Sequence, residues 1–390
     1  MSICALGEGK GMWVNMKKIL YIAISSQTGG VPRHILQALR HAKEYGYKVA
    51  VAAPDDGDYY PWFRQQAAGM LKVCLKPYSF RSLWKIRCYI RKNRIELVHS
   101  HGKGAGMYAR PLKLLCPGIK VVHTFHGVYV EEYGVLLRAI YCQIERRLRH
   151  WTDHFICVSQ SERKEAMRLR FADRKRTSVI CNGVEPEHFQ GVIINRNQYL
   201  KEFGFPHNAY LIGCVARLEQ MKGHQYLLSA FAKLIKKHPQ CRLLLVGDGP
   251  ERESIEAQIQ EQNLGSFVCL TGFRHDVPQL LKLFDMFVSA SLKEGMPYTL
   301  IEALAAGTPV TATDVIGNRD VIHGGKNGFL VRAESAEDLA EMLDYAVRNP
   351  EICKKYSVQG QRMVHALFTE ERFAGRLFGV YDKVMERHGK

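Results

Sequence analysis

The feature that most constrains the fold of this chain is the alternation of short apolar runs with amphipathic segments of helical period. This alternation predicts parallel sheets covered by helices on both faces. It first predicts strands at 18–24, 48–53, 96–99, 120–124, 153–158 and 178–181, with helices such as 32–45 and 161–170. It then predicts strands at 211–216, 242–246, 267–270, 285–290 and 309–312, separated by helices that begin near Gly223, Glu251, Val277 and Pro297.

Two such series predict two doubly wound α/β domains. We expect a flexible leader at 1–15, an N-terminal domain at 16–190, a linker at 191–205 and a C-terminal domain at 206–365. The final segment, 366–390, has a helical pattern and could pack back on the N-terminal domain. Ligands of open parallel sheets bind beyond the carboxyl ends of the strands, so the two domains should share a cleft there.

Composition excludes several classes of protein. Apolar runs such as 243–246 are far shorter than the roughly 20 residues that cross a bilayer. Residues 1–14 contain a glutamate and three glycines where a secretory signal needs a continuous apolar core. The eleven cysteines are odd in number and never spaced as Cys-x-x-Cys, which argues against a disulfide framework and a structural zinc site. We therefore expect a cytoplasmic protein, for which Met16 could be the physiological start.

The net charge of +17 is concentrated in the N-terminal half of the chain. Residues 1–195 contain 31 Lys and Arg against 15 Asp and Glu, a net charge of +16. Such asymmetry indicates an anionic partner, namely a membrane surface, a phosphorylated substrate or nucleic acid. No helix-turn-helix, zinc-finger or aromatic RNA-binding pattern accompanies the charge, so we expect no nucleic-acid partner.

A basic amphipathic segment lies within this half. Residues 81–94 hold six cations and no acid among apolar residues such as Leu83, Trp84 and Ile86, and a second basic stretch covers 163–176. A helix of this kind suits the surface of an anionic membrane. For this segment by itself, packing of its apolar stripe on the first sheet is the better explanation. The charge of the whole half favours peripheral contact with the inner face of the cytoplasmic membrane.

The segment from Glu294 to Glu302 follows a predicted strand, and its Pro297 suits the first turn of a helix. Glu294 then lies in the strand-to-helix loop, and Glu302 lies about one and a half turns into the helix. Their carboxylates can accept hydrogen bonds from sugar hydroxyls, and the amides of Thr299 and Leu300 can receive a phosphate. By spacing alone, two solvated glutamates at a helix start are the slightly better explanation.

Two cations, Arg217 and Lys222, follow the first strand of the second series, and Gly223 permits close approach of the backbone. Such a loop can clamp a diphosphate, although a solvated charged loop is the alternative. The expected position of both cations on the same sheet edge as Glu294 and Glu302 favours the binding interpretation.

The loop after the first strand contains Gly29 and Gly30 ahead of a helix start, where they would let a ligand approach the backbone. They belong to neither a G-x-G-x-x-G nor a Walker pattern, so dinucleotide and ATP binding have no support. The segment 56–58 formally spells the metal-binding Asp-x-Asp pattern, but it is more naturally a turn after the second strand.

Histidines occur as two pairs at predicted strand ends, His99 with His101 and His123 with His126. Zinc binding is one interpretation, but no nearby Cys or acidic residue completes a ligand set. We therefore expect these histidines to form the floor of an active site, and we expect no metal site.

Taken in order, these motifs resemble those of retaining glycosyltransferases of family 4, which have the GT-B fold of two Rossmann-like domains facing across a cleft. The resemblance covers nearly the whole chain after Met16. Its most specific segments are 213–218 with Lys222 and Gly223, 245–250, 270–273, 294–309 and 327–331. Looser landmarks are Gly29 with Gly30, 98–101, 124–126 and 182–184. Departures at Val31-Pro32 and Gly317-Asn318 leave the donor and the acceptor open.

The resemblance implies a role for each matched residue. Glu302 would hold the ribose hydroxyls, Glu294 the donor sugar, and Arg217 with Lys222 the diphosphate. Gly272 and Phe273 would lie near the base, while Gly30 and His126 would face the reacting sugar. The implied catalytic residues are His126, Arg217, Lys222 and Glu294. The implied donor-binding residues are Gly29, Gly30, Gly272, Phe273, Gly295, Met296, Pro297, Thr299, Leu300 and Glu302.

The resemblance further implies a metal-independent transfer with retention. A hexose or amino-hexose would pass from a UDP- or GDP-sugar to a glycan or lipid-linked acceptor in surface polysaccharide synthesis. The nucleotide sugar is a substrate, and no cofactor is expected. One alternative is a nucleotide-sugar epimerase of similar fold, which forms product without an acceptor. Another is a catalytically silent subunit, which binds the donor without turnover.

Overall fold

The computed structural model describes residues 16–130 and 133–386, so the leader predicted at 1–15 lies outside the described residues. The strands of the N-terminal sheet are β1 (Lys17–Ala23), β2 (Tyr47–Ala53), β3 (Gly69–Lys72), β4 (Leu97–His101), β5 (Lys120–Thr124), β6 (His154–Cys157) and β7 (Thr177–Val179). Their order is β3-β2-β1-β4-β5-β6-β7, and every neighbouring pair is parallel.

The second sheet belongs to the C-terminal half. Its strands are β8 (Tyr210–Val215), β9 (Cys241–Val246), β10 (Val268–Gly272), β11 (Met286–Ser289), β12 (Val310–Thr313) and β13 (Phe329–Val331). They lie in the order β10-β9-β8-β11-β12-β13, again with parallel pairs only. Two parallel sheets confirm the predicted α/β class with two doubly wound domains.

Helices connect the strands. Those of the N-terminal half are α1 (Gly30–Ala42), α2 (Tyr59–Gln66), α3 (Phe80–Asn93), α4 (Gly102–Ala109), α5 (Leu112–Leu115), α6 (Val135–Leu148), α7 (Gln160–Arg168) and α8 (Glu187–Gln190). The others are α9 (Arg196–Glu202), α10 (His224–Leu234), α11 (Arg252–Glu261), α12 (Val277–Leu283), α13 (Tyr298–Ala306), α14 (Asn318–Val321), α15 (Ala336–Arg348), α16 (Pro350–Leu367) and α17 (Glu370–Glu386). The predicted linker at 191–205 contains α9.

Strand alternation gives each sheet two apolar faces. In β1, Ile19 and Tyr21 pack in one core with α1 and α17, whereas Leu20 and Ile22 pack in another with α3 and α4. Both faces are therefore covered, as the continuous apolar runs predicted.

All eleven predicted strands are present, with ends that differ by at most two residues. The prediction missed β3 and β13. Both are short edge strands: β3 is only partly buried, and the apolar run of β13 has only three residues.

The last helix of the described chain packs against the N-terminal domain. Helix α17 packs on α1, and the Tyr381 hydroxyl lies 2.8 Å from the Tyr21 hydroxyl of β1. A bridge between Val184 and Thr369 lies just before this helix. None of the helices in the described part of the chain has the length and apolar character that a bilayer crossing requires.

Candidate active site

A cavity of about 350 Å³ lies at the carboxyl ends of strands from both sheets. This volume is typical of small-ligand sites, and the position is the one expected for open parallel sheets. The predicted residues that line it are Gly29, Gly30, His126, Arg217, Lys222, Glu294, Gly295, Met296, Pro297 and Thr299. The predicted residues Gly272, Phe273, Leu300 and Glu302 do not line this cavity.

An ion pair within the cavity joins Lys222 and Glu294, whose Nζ and Oε1 atoms lie 2.5 Å apart. The residue after Lys222, Gly223, has φ 67°, and a Cβ there would come within 2.1 Å of the Ala290 carbonyl oxygen. Only glycine fits this contact, which holds the loop after β8 against the loop after β11. Ser291 Oγ also donates to Glu294, at 2.8 Å. The sequence assigned Lys222 and Glu294 to one ligand but did not predict that they pair with each other.

Two further features of the cavity attract anions. Arg217 is half exposed at its edge and pairs with Glu219. Helix α13 begins at Tyr298 without a side-chain cap, so the amides of Thr299 and Leu300 lie in its first turn. Uncapped first-turn amides and the helix dipole favour a phosphate group. The Leu300 side chain is itself fully buried, which leaves only its backbone to face a ligand.

Glu302 lies away from the main cavity. Its Oε1 is 2.5 Å from Arg33 Nη1 of α1, and the Arg33 guanidinium stacks over the Tyr298 ring at 4.3 Å. Glu302 lines a second cavity of about 350 Å³, and Arg33 and Tyr59 line both cavities. Arg33 therefore forms part of the wall between them. Sequence reasoning missed Arg33, although its place one turn after Gly29 and Gly30 was a signal.

The residues predicted to lie near the base are at the end of β10. Gly272 has φ 71° and accepts a hydrogen bond from Gly247 N at 2.9 Å, which joins two strand-end loops. Phe273 is mostly exposed and packs edge-on against His275. Their part in binding the base stays a prediction.

The glycine loop is held by the acidic turn that follows β2. Ser26 N donates to Asp56 Oδ1 at 2.7 Å, and Thr28 Oγ1 donates to Asp58 Oδ2 at 2.9 Å. A Cβ on Gly57 would come within 2.4 Å of Gln27 Cα, so the turn packs directly on the loop. The interpretation of 56–58 as a turn is confirmed, and the turn positions Gly29 and Gly30.

The predicted histidine floor is partly wrong. His99 and His101 lie on the α17 face of the sheet, where His99 Nδ1 is 2.6 Å from the Tyr381 hydroxyl. His123 lies on the opposite face, beside Ser100 and α4, because successive residues of a strand alternate between faces. His126 lines the cavity and has φ 58°, a left-handed conformation that is unusual for a residue other than glycine.

His34 of α1, which the sequence did not single out, joins this group. Its ring lies 4.6 Å from that of His126 and 5.4 Å from that of His101. Burial lowers the pKa of His34 to about 4 and holds the pKa values of His99, His101, His123 and His126 well below the usual value. At neutral pH these imidazoles are therefore uncharged.

The two domains meet through hydrogen bonds around this group. Asn182 Nδ2 donates to the Met296 carbonyl at 2.8 Å, and Asn182 Oδ1 lies 3.1 Å from His34 Nδ1. The Tyr298 hydroxyl donates to Gln37 at 2.7 Å. The loop before α13 is thus fixed to the histidine side of the cleft.

A buried carboxylate supports the turn at His126. Glu162 accepts hydrogen bonds from Gly127 N and, at 2.7 Å, from Val158 N, and burial raises the pKa of Glu162 to about 7. Asp320 of the C-terminal domain accepts from Gln160 N at 2.8 Å, at the start of the same helix. No motif pointed to Glu162, because its role depends on a contact between distant segments.

Comparison with known proteins agrees with this architecture. Residues 195–363 match the family model of glycosyl transferases group 1, and residues 28–188 match that of glycosyltransferase family 4. The putative glycosyltransferase EpsD of Bacillus subtilis is 27% identical over 315 residues, which cover 80% of this chain and 82% of EpsD. The UDP-Gal:alpha-D-GlcNAc-diphosphoundecaprenol alpha-1,3-galactosyltransferase of Escherichia coli is 29% identical over 269 residues, 68% of this chain and 69% of that enzyme.

The fold is also that of a solved structure. HepE of Anabaena, in complex with UDP and glucose, superposes with a TM-score of 0.84 at 19% identity, covering 94% of this chain and 100% of HepE. The two matched family models together span both halves of the chain, each on its own parallel sheet. The chain therefore belongs to the family 4 type of glycosyltransferases with the GT-B fold.

Proposed function

We propose that this glycosyltransferase moves a hexose or amino-hexose, with retention, from a UDP- or GDP-sugar to a glycan or lipid-linked acceptor in surface polysaccharide synthesis. The names of the relatives support this product class, since the Escherichia coli enzyme acts on a sugar diphosphoundecaprenol. The names also favour UDP as the nucleotide of the donor, because that enzyme uses UDP-Gal and HepE crystallised with UDP and with UDP-glucose.

The observation that best supports the proposal is the pairing of Lys222 with Glu294 inside the cavity that His126 also lines. A cation beside the uncapped start of α13 suits the diphosphate of a nucleotide sugar. A carboxylate at 2.5 Å from that cation suits the hydroxyls of the attached sugar. Binding of the donor would place its diphosphate against Lys222 and its sugar against Glu294.

The chemistry follows from these groups. When the anomeric bond breaks, negative charge develops on the leaving diphosphate. Lys222, Arg217 and the amides of Thr299 and Leu300 would stabilise that charge, and stabilisation of developing charge is commonly the largest part of catalysis. The acceptor oxygen would form the new bond to the anomeric carbon on the face that the diphosphate leaves, while its proton passes to the leaving phosphate. Attack on that same face gives retention. We propose that no metal ion takes part.

Peripheral contact with an anionic membrane is also proposed for the N-terminal half. The apolar stripe of α3, which includes Leu83 and Ile86, packs on the sheet, as the simpler interpretation required. Phe80 and Trp84 nevertheless remain exposed beside the exposed cations of the same helix. Exposed aromatic and basic side chains together suit the headgroup region at the inner face of the cytoplasmic membrane.

A donor screen tests the proposed function. UDP-, GDP- and ADP-sugars are compared by thermal shift and by nucleotide release, with and without glycan and lipid-linked acceptors, in the presence and absence of EDTA. We expect acceptor-dependent release of UDP that EDTA does not change, and an anomeric NMR signal that shows retention. Product without an acceptor would identify an epimerase, and binding without release a silent subunit. Strong EDTA inhibition would contradict metal independence.

A further inference from the structure

His126, which lines the cavity, and the buried His34 and His101 next to it have the spacing of metal ligands. Each of His34, His101 and His126 has a ring nitrogen within 4.8 Å of such a nitrogen of the other two. His101 Nδ1 and His126 Nε2 are 3.2 Å apart. Two nitrogens bound at 2.0–2.1 Å to one tetrahedral Zn²⁺ would be roughly 3.3 Å apart, so this pair already has ligand spacing.

The hydrogen bonds of His34 fix which of its nitrogens is free. Asn182 Nδ2 donates to the Met296 carbonyl, so Asn182 Oδ1 is the atom that faces His34 Nδ1. That oxygen can only accept, hence neutral His34 holds its proton on Nδ1 and a lone pair on Nε2. Fixing a histidine tautomer by a partner at its other nitrogen is how metal-binding proteins orient their ligands.

The free nitrogen of His34 is buried. In residues 16–130 and 133–386, His34 Nε2 has no hydrogen-bond partner, and the His34 side chain is fully buried. A buried polar atom without a partner costs about 1–3 kcal/mol. A metal ion bound to His34 Nε2 would supply the missing partner.

We propose that His34, His101 and His126 form a binding site for one transition-metal ion of the Zn²⁺ class, and that occupation of this site inhibits transfer. Three imidazoles without a carboxylate suit Zn²⁺, Co²⁺, Ni²⁺ and Cu²⁺ better than Mg²⁺ or Mn²⁺, which take oxygen ligands. The ion reaches the site from the cavity, which His126 lines.

The inhibitory role rests on the proposed function, because in that function His126 faces the donor sugar. An imidazole fixed on a metal ion cannot turn towards a sugar hydroxyl. The site is consistent with a transfer reaction that needs no metal. The bound ion would remove the contact of His126 with the donor sugar and would supply none of the chemistry.

Binding is tested without turnover. Co²⁺ is titrated into the purified full chain, and the visible absorption bands of histidine-bound Co²⁺ are followed, with Zn²⁺ added later as a competitor. We expect one ion per chain. His34→Gln and His101→Gln should each weaken Co²⁺ binding by at least about 100-fold, while His123→Gln, a buried histidine on the opposite sheet face, should keep it. Circular dichroism checks that each variant is folded. If only one of His34→Gln and His101→Gln folds, that variant is sufficient to test the site.

The outcomes separate the site from the function. Absence of the Co²⁺ bands in the wild type, or their persistence in a folded ligand variant, would overturn the site. In a transferase assay, Zn²⁺ should inhibit, EDTA should reverse the inhibition, and Mg²⁺ should have no effect. If Zn²⁺ binds without inhibiting, the inhibitory role is wrong. A protein that binds Co²⁺ but transfers no sugar would contradict the proposed function and leave the site standing.

Discussion

The N-terminal wall of the cleft holds a group of uncharged imidazoles and one cation, Arg33, whereas the C-terminal wall presents Arg217, Lys222 and Glu294. His34, His101 and His126 are held neutral by burial on one side, and Lys222 pairs with Glu294 on the other. Both walls stand at the carboxyl ends of parallel sheets of the same kind. The architecture therefore provides the position of the site, and the loops of each sheet provide its chemistry.

The excess positive charge of the chain does not lie in the cleft. The N-terminal half holds nearly all the net charge of +17, yet Arg33 is its only charged side chain among the described residues that line the main cavity. The nearly neutral C-terminal half contributes Arg217, Lys222 and Glu294 to the same cavity. The excess cations of the first half hence lie on surfaces away from the histidines, such as the exposed side of α3. The charged groups proposed to bind the donor and the cations proposed to contact a membrane therefore lie in different places, and each set can be tested alone.

The largest effect is expected from the charged wall. Lys222→Ala removes the cation proposed for the diphosphate and leaves Glu294, which is 11% exposed, without its partner. Loss of one group that stabilises the developing charge should lower kcat by about 10³-fold in a steady-state transfer assay. Lys326→Ala, on an exposed loop of the same domain, is the matched control and should behave as the wild type. A Lys222→Ala enzyme with normal kcat would remove the main support for the proposed mechanism.

The free energy of unfolding should depend on pH through the buried histidines of the N-terminal wall. The folded pKa of His34 is about 4 and its unfolded value is about 6.5, so the unfolded chain binds the proton more readily between these values. The stability that neutral His34 contributes is complete above about pH 6.5 and is lost as the pH falls towards 4, by about 3 kcal/mol. Denaturant unfolding at several pH values, followed by tryptophan fluorescence, measures this, because all four tryptophans lie in residues 1–195.

Two substitutions identify the source of that pH dependence. His34→Gln should reduce the loss of stability between about pH 6.5 and 4 by the share of His34, since glutamine does not titrate, while the other buried histidines with lowered pKa values still contribute. His207→Gln changes an exposed histidine of the other half and should leave the curve as it is. Parallel curves for His34→Gln and the wild type would show that another group is responsible.

The sequence predicted those parts of the two walls that depend on local patterns, and it missed those that depend on contacts between residues far apart in the chain. Strand-end loops such as those of Lys222 and Glu294 were found because parallel strands place their ends on one edge. His123 was misplaced, because the face to which a strand residue points depends on register, and a single apolar run without alternation does not show it. Arg33 and His34 were missed because both lie within a helix and act on partners far along the chain, namely Glu302 and Asn182.

A smaller effect is expected from the contact that joins the two walls. Arg33→Ala leaves Glu302, only 7% exposed, without its cation, and it removes the stack on Tyr298. A charge-assisted hydrogen bond contributes about 1.5–3 kcal/mol, so kcat/KM for the donor should fall by about 10- to 100-fold. Arg40→Ala, two helical turns further on and about half exposed, should change this value by less than about threefold. Equal losses in the two variants would mean that the Arg33 contact has no special role.

The smallest effect concerns the surface charge of the N-terminal half. Arg91 and Lys92 are adjacent exposed cations of α3, and each basic residue near an anionic membrane contributes about 1 kcal/mol. Arg91→Ala with Lys92→Ala should therefore weaken binding to anionic vesicles by about 10- to 30-fold in low-salt co-sedimentation, with transfer to a soluble acceptor unchanged. Lys354 and Lys355 are adjacent exposed cations of α16 in the other half, and the same double change there should not affect sedimentation. If the wild type stays in the supernatant at low salt, the charge asymmetry does not serve a membrane, and the acceptor itself becomes the anionic partner to test.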